Sequence, residues 1–144
     1  MSSIRNSLIY IVDDHHPDRQ LLLYELEKQC TNCHIIGFVS GSSLFSILQD
    51  TSRHRLPNLI LLSLHMQGVD GPAILDFIKT NPVFRRIPVI IMAHRASPEE
   101  VMLSYDKGST AFMNKPQSAA QAETMVAVIN HYWLDVAELP MGYK

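Results

Sequence analysis

No apolar run in this sequence approaches the roughly 18 residues of a membrane-spanning helix, so no membrane partner is expected. The opening stretch MSSIRNSLIYIVDD has too short an apolar core and the wrong flank for a secretory signal, and a cytoplasmic location is expected. An excess of charge of one sign is also missing. Lys and Arg number 12 against 14 Asp and Glu, and the net charge of −2 gives no electrostatic reason to expect nucleic acid. Low-complexity linkers and internal repeats are absent, and 144 residues favour one domain over 1–144. With 47% apolar and 18% charged residues the composition is that of a globular chain rather than a disordered one.

Cysteine is scarce as well. The only two residues form CTNC, Cys30 to Cys33, a spacing that raises redox and zinc chemistry. A redox pair needs its nucleophile at a helix N-terminus, where the dipole stabilises thiolate. This pair follows PDRQLLLYELEKQ and therefore sits at a helix C-terminus, where the dipole has the wrong sign. Zinc needs further ligands, and there is no second C-x-x-C. Two thiols in a connecting loop are expected.

What is present is a regular alternation. SLIYIV (Ser7 to Val12), HIIGFV (His34 to Val39), LILLSL (Leu59 to Leu64), IPVIIMA (Ile87 to Ala93) and TAFMNKP read as five short buried strands. Between them lie helical patterns: one opened by Pro17, then SGSSLFSILQD, PAILDFIKTN and SPEEVMLSYDKG. A last long helix is expected over Ser118 to Val136, extending to about residue 138, with Ala122, Met125, Val126, Ile129, Trp133 and Val136 on one stripe. Five β-α units connected right-handedly give a parallel sheet covered on both faces, a doubly wound (βα)5 α/β fold.

In such a fold functional groups gather beyond the carboxyl ends of the strands. The first strand delivers Asp13 and Asp14, the third Ser63, the fourth Ala93 and His94, and the fifth Lys115. Buried acids are costly unless paired or metal-bound, so a plain Asp–Lys salt-bridge cluster is one reading of this edge.

The same residues carry a resemblance. YIVDDHH, PNLILLSLHMQGVDG, IPVIIMAHRAS and KGSTAFMNKP, in that order, resemble the signature segments of receiver domains of two-component response regulators, over essentially the full length. The resemblance implies the flavodoxin- and CheY-like strand order 2-1-3-4-5. It also implies that Asp13 and Asp14 match an acidic pair that holds Mg²⁺. Lys115 matches the lysine that contacts the phosphoryl group, and Phe112 the aromatic that swings inward with it. Two positions depart. Ser63 stands where the family carries its phosphoacceptor aspartate, and Ala93 where it carries a hydroxyl. The proline usual after Met66 is replaced by Gln67.

Serine is a poor substitute, because its hydroxyl needs a base where a carboxylate is nucleophilic at neutral pH. Mg²⁺ binding is expected to weaken with one ligand fewer, and no cofactor is required. Two carboxylates at ~4 Å repel by about 4 kcal/mol at an effective dielectric near 20, so the missing acid also frees Lys115 to pair with Asp13 or Asp14. The expected function is a degenerate receiver acting by protein–protein contacts without phosphorylation, with no catalytic residues. The alternative is a phosphorelay receiver that uses Ser63 itself. An enzyme or flavin carrier on the same fold is remote, since DDHHPDR lacks the hydroxyl- and glycine-rich phosphate loop that flavin phosphate needs.

His15, His16, His65 and His94 fall near the same edge, either as solvent-facing loop residues or as a zinc-type site. In the family, the face of the fourth helix, fifth strand and fifth helix contacts partners. Here it would present Met102, Tyr105 and Phe112, with Trp133 in the aromatic ending HYWLDVAELP. The expected partners are a histidine kinase or another receiver, with a homodimer possible. No DNA-binding segment follows, so output is expected to travel through protein contacts.

Overall fold

The computed structural model describes residues 6–50 and 55–140; the outermost residues of the expected 1–144 unit lie outside that range. The order is β1 (Ser7–Val12), α1 (His16–Gln29), β2 (Cys33–Phe38), α2 (Gly41–Gln49), β3 (Leu59–Ser63), α3 (Gly71–Thr80), β4 (Val89–Ala93), α4 (Pro98–Asp106), β5 (Ala111–Asn114) and α5 (Ala119–Val128), followed by a π-helical segment, Ile129–Val136. The strands are parallel in the order β2-β1-β3-β4-β5, the doubly wound arrangement expected.

Strand position follows composition. β1, β3 and β4 are apolar and buried throughout, as central strands must be, whereas β2 and β5 are only partly covered and form the edges. Alternation divides each strand between two cores. Tyr10, Val12, Ile60 and Leu62 pack with Leu44 and Leu48 of α2 and Ile74 and Ile78 of α3. Ile9, Ile11, Leu61 and Ile90 face the opposite layer, with Leu22 and Leu26 of α1 and Met125 and Val126 of α5. Each fully buried branched side chain contributes about 1.5–3 kcal/mol.

Four helices start at a side-chain cap: Ser40, Asp70, Ser97 and Ser118 each accept from the backbone N–H three residues on. Ser97 and Glu100 form a complete capping box. α1 differs. His15 makes no side-chain cap, and its first turn instead carries Pro17 and Asp18.

Two expectations need correction. The final helix is not one α-helix to Val136, because the winding changes to π at Ile129. Hydrogen bonds that span five residues carry Leu134 beneath buried Ile129, leaving Leu134 3% and Val136 58% exposed. Trp133 is half-buried against the α1–α5 core. The two cysteines are not free thiols. Cys30 is the C-cap of α1, its backbone is extended, and the turn brings its Cα within 5.5 Å of Cys33, where the two form a disulfide. Spacing showed that they close a helix C-terminus but could not show how the chain turns there. Among the described residues no helix is long and apolar enough to cross a membrane.

Candidate functional site

Strand register places the site. Val12 pairs with Leu62, Ser63 with Met92 and Ala93 with Asn114, so the carboxyl ends of the central strands lie level. The backbone continues the ladder one residue further: Asp13 N–H donates to Phe38 O at 3.0 Å and Lys115 N–H to Ala93 O at 2.8 Å. Ser63, Ala93 and Lys115 thereby line one cleft of about 450 Å³, joined by Asp18, His15, His65 and His94.

The β3–α3 loop is built by its glycines. Gly68 has a φ of 75°, a left-handed conformation that other residues adopt only with strain. Gly71 lies against β3, and a Cβ there would come within 2.6 Å of Ser63 O and 2.9 Å of Leu64 Cα. No side chain fits that approach.

Asp13 is fully buried. Its Oδ1 accepts from His15 N–H at 3.0 Å, its carbonyl accepts from Arg19 Nη1 at 2.7 Å, and its Oδ2 lies 2.8 Å from Lys115 Nζ. That last contact joins opposite charges without hydrogen-bond alignment, for Oδ2 accepts no hydrogen bond. Lys115, 7% exposed, donates instead to Asp18 Oδ2 at 3.1 Å. The lysine therefore bridges two carboxylates, one from the end of β1 and one from the first turn of α1.

Asp14 is turned away. It is exposed, and its Oδ2 accepts from Gln67 N–H at 3.0 Å, tying the β1–α1 loop to the β3–α3 loop. The expected choice between Asp13 and Asp14 as partner of Lys115 resolves to Asp13, with Asp18 added. Sequence reasoning missed Asp18 because an acid in a first helical turn reads as complementing the helix dipole. The available signal was position: α1 starts three residues after Asp13, so its first turn overhangs the strand ends.

Asp18 gathers the histidines too. His15 Nδ1 lies 3.0 Å from its Oδ2, and His94 Nε2 lies 3.1 and 3.0 Å from Oδ1 and Oδ2. Burial pushes the Asp18 carboxyl upward, but the hydrogen bonds and charges of Lys115 and His94 outweigh it and hold the group below its ordinary value. His65 pairs elsewhere, with Glu100 Oε2 at 2.8 Å, and so ties the β3–α3 loop to α4. His16 is exposed at the start of α1.

Ser63 is 1% exposed, and its hydroxyl donates to His65 O at 3.3 Å. Ala93 offers a methyl group beside it. Among the described residues, no group of three or more His, Cys, Asp or Glu side chains is arranged to hold a metal ion. The donor chemistry agrees: Asp14 is engaged by a backbone N–H, Asp13 faces an ammonium, and Ser63 is neutral. These residues do not make the set of oxygen ligands that Mg²⁺ wants.

Phe112 is half-buried against the α2–α3 core, and its N–H donates to Tyr105 Oη at 3.2 Å. Met102 and Tyr105 on α4 are 65% and 50% exposed. Trp133 does not join them; it packs against the opposite core and meets Tyr132 edge-on at 5.0 Å.

The comparisons with known proteins agree with this geometry. The profile of the response regulator receiver domain matches residues 9–128. The chain is 29% identical over 136 residues to response regulator Rcp1 of Synechocystis sp., covering 92% of each sequence. It is 26% identical over 129 residues to the probable methanogenesis regulatory protein FilR2 of Methanothrix harundinacea, covering 88% of this chain and 83% of that one. The crystal structure of the Mn²⁺-bound form of Rcp1 superposes with a TM-score of 0.84 at 28% identity, covering 93% of this chain and 99% of that one. That of the phosphorylated cyanobacterial phytochrome response regulator RcpA gives 0.87 at 26%, covering 94% and 99%. The strand order, the acid–lysine pair beyond the sheet and a match across the sheet and its helices together show that the chain belongs to the response regulator receiver domain family, the signalling modules of two-component systems.

Proposed function

We propose that this receiver signals through protein contacts without a phosphorylation cycle, with Ser63 standing in place of the acceptor aspartate. The observation that carries this reading is the environment of the Ser63 hydroxyl. It donates to a backbone carbonyl, His65 O, which cannot take up its proton. A serine nucleophile needs a base within hydrogen-bond reach, and the nearby acids are committed: Asp13 to Lys115 and His15 N–H, Asp14 to Gln67 N–H. The methyl group of Ala93 supplies no hydrogen bond to a phosphoryl oxygen. Magnesium is weakened to the point of dispensability, and the pocket is held by Lys115.

The partners are a histidine kinase, another receiver or a second copy of this chain. Met102, Leu103 and Tyr105, all exposed on α4, offer the apolar contact. Incubation with a small-molecule phosphodonor and Mg²⁺ is expected to leave the intact mass unchanged. A single added phosphoryl group, lost in Ser63→Ala, would overturn this reading in favour of Ser63 as acceptor.

A further inference from the structure

One carboxylate oxygen in the cleft collects three nitrogens. Asp18 Oδ2 lies 3.0 Å from His15 Nδ1, 3.0 Å from His94 Nε2 and 3.1 Å from Lys115 Nζ. The nitrogens come from three separate places, the β1–α1 loop, the β4–α4 loop and the end of β5; Lys115 and His94 hydrogen-bond to Asp18, and His15 lies within ion-pair distance. Arg95 lines the same cleft. Charge-assisted donors converging on one oxygen are how proteins hold the oxygens of phosphate-class anions. Here the anion belongs to the chain.

We propose that Lys115, His15 and His94 form an oxyanion site of the phosphate class in which the Asp18 carboxylate is a built-in occupant, withholding these nitrogens from free phosphate and phosphodonors. The inference deepens the reading of Ser63 as a non-acceptor and rests on it: without a covalent bond to β3, an anion would have to be held by these nitrogens alone. Asp18 is fixed in the first turn of α1 with its side chain 12% exposed. A tethered ligand competes at high effective concentration against a dissolved one. The cleft of about 450 Å³ has room for a tetrahedral anion with Asp18 in place, so the carboxylate competes for the nitrogens rather than for the space. Asp13, on the other side of Lys115, opposes the incoming charge and limits the affinity.

The test is titration with inorganic phosphate, read by calorimetry and by NMR shifts of the Lys115 and His94 side chains. It compares the native protein, Asp18→Ala, Asp18→Asn and the double variant Asp18→Ala with Lys115→Gln. Asp18→Ala is expected to bind phosphate about tenfold tighter than the native protein, and Asp18→Asn, which keeps the shape and loses the charge, to gain in the same direction. The double variant is expected to lose the gain. No gain in either single variant overturns the proposal, as does native binding equal to that of Asp18→Ala. A gain that survives Lys115→Gln also overturns it, because the ion then sits elsewhere. Should Asp18→Ala fail to fold, the isosteric Asp18→Asn decides alone. A covalent adduct on the native chain after incubation with a small-molecule phosphodonor, seen by intact mass after dialysis, counts against the non-acceptor reading instead, so the two failures are distinguishable.

Discussion

The two walls of the cleft differ in kind. On the wall made by β1, β5 and the first turn of α1, Lys115 sits between Asp13 and Asp18, and two histidines close on Asp18. On the wall made by β3 and β4, Ser63 bonds to its own loop and Ala93 contributes a methyl group. One wall is dense in paired charge and the other is neutral. Charges buried this deeply persist only while each has its partner, so the charged wall is bound to folding stability. The neutral wall carries no such obligation, since neither Ser63 nor Ala93 holds a charge that must be paired.

The sharpest way to break this comparison is to remove the lysine. Lys115→Met leaves fully buried Asp13 without its counter-charge and is expected to cost about 3–5 kcal/mol in urea denaturation. A cost below that of Ser63→Ala would mean that the charged wall is not what holds this edge together.

Next in size is Ser63→Asp, which puts a charge on the neutral wall. Repulsion from Asp13, partly offset by Lys115, is expected to lower stability by on the order of 2 kcal/mol, and added Mg²⁺ to restore it. Calorimetry should then show Mg²⁺ binding tighter than in the native chain. If neither change occurs, Ser63 does not face the acidic pair.

A smaller effect belongs to Asp18, whose carboxyl is held below its ordinary value. The sign follows from linkage: a depressed folded-state value contributes stability that is complete above the unfolded value, near 4, and lost as the pH falls through the lowered folded one. Native minus Asp18→Asn stability, from urea midpoints across that acid range, is expected to shrink from about 1 kcal/mol toward zero. A difference that grows with acid would contradict the ion pairs drawn here. Smallest of all, Ser63→Ala removes one long hydrogen bond to a loop carbonyl and is expected to shift the thermal midpoint by less than ~1 kcal/mol equivalent.

Much of this was legible before any coordinates. Short β-branched runs alternating with helical patterns required a parallel sheet with two covered faces, since a strand apolar on both sides has no other way to be buried. Every strand-end residue named from that pattern lies at the same edge of the sheet. Capping serines at 40 and 97 marked two helix starts within a residue, because the cap is a local hydrogen bond. The π winding was not legible, because a stripe at α-helical spacing looks the same until i→i+5 bonds replace i→i+4 ones. The Cys30–Cys33 disulfide turned on backbone angles at the α1 C-cap that composition does not encode.

By itself, then, the sequence determined the doubly wound sheet, the edge at which its polar groups collect and the absence of an aspartate at position 63, all of which follow from local periodicity and residue type. Only the tertiary structure decided which groups touch. Asp18 and Lys115 lie 97 residues apart, and their contact depends on α1 starting directly above β1 and β5 ending three strands along the sheet from it. Side-chain pairing at that range is set by the relative placement of whole elements to within an ångström, and no local pattern carries that information.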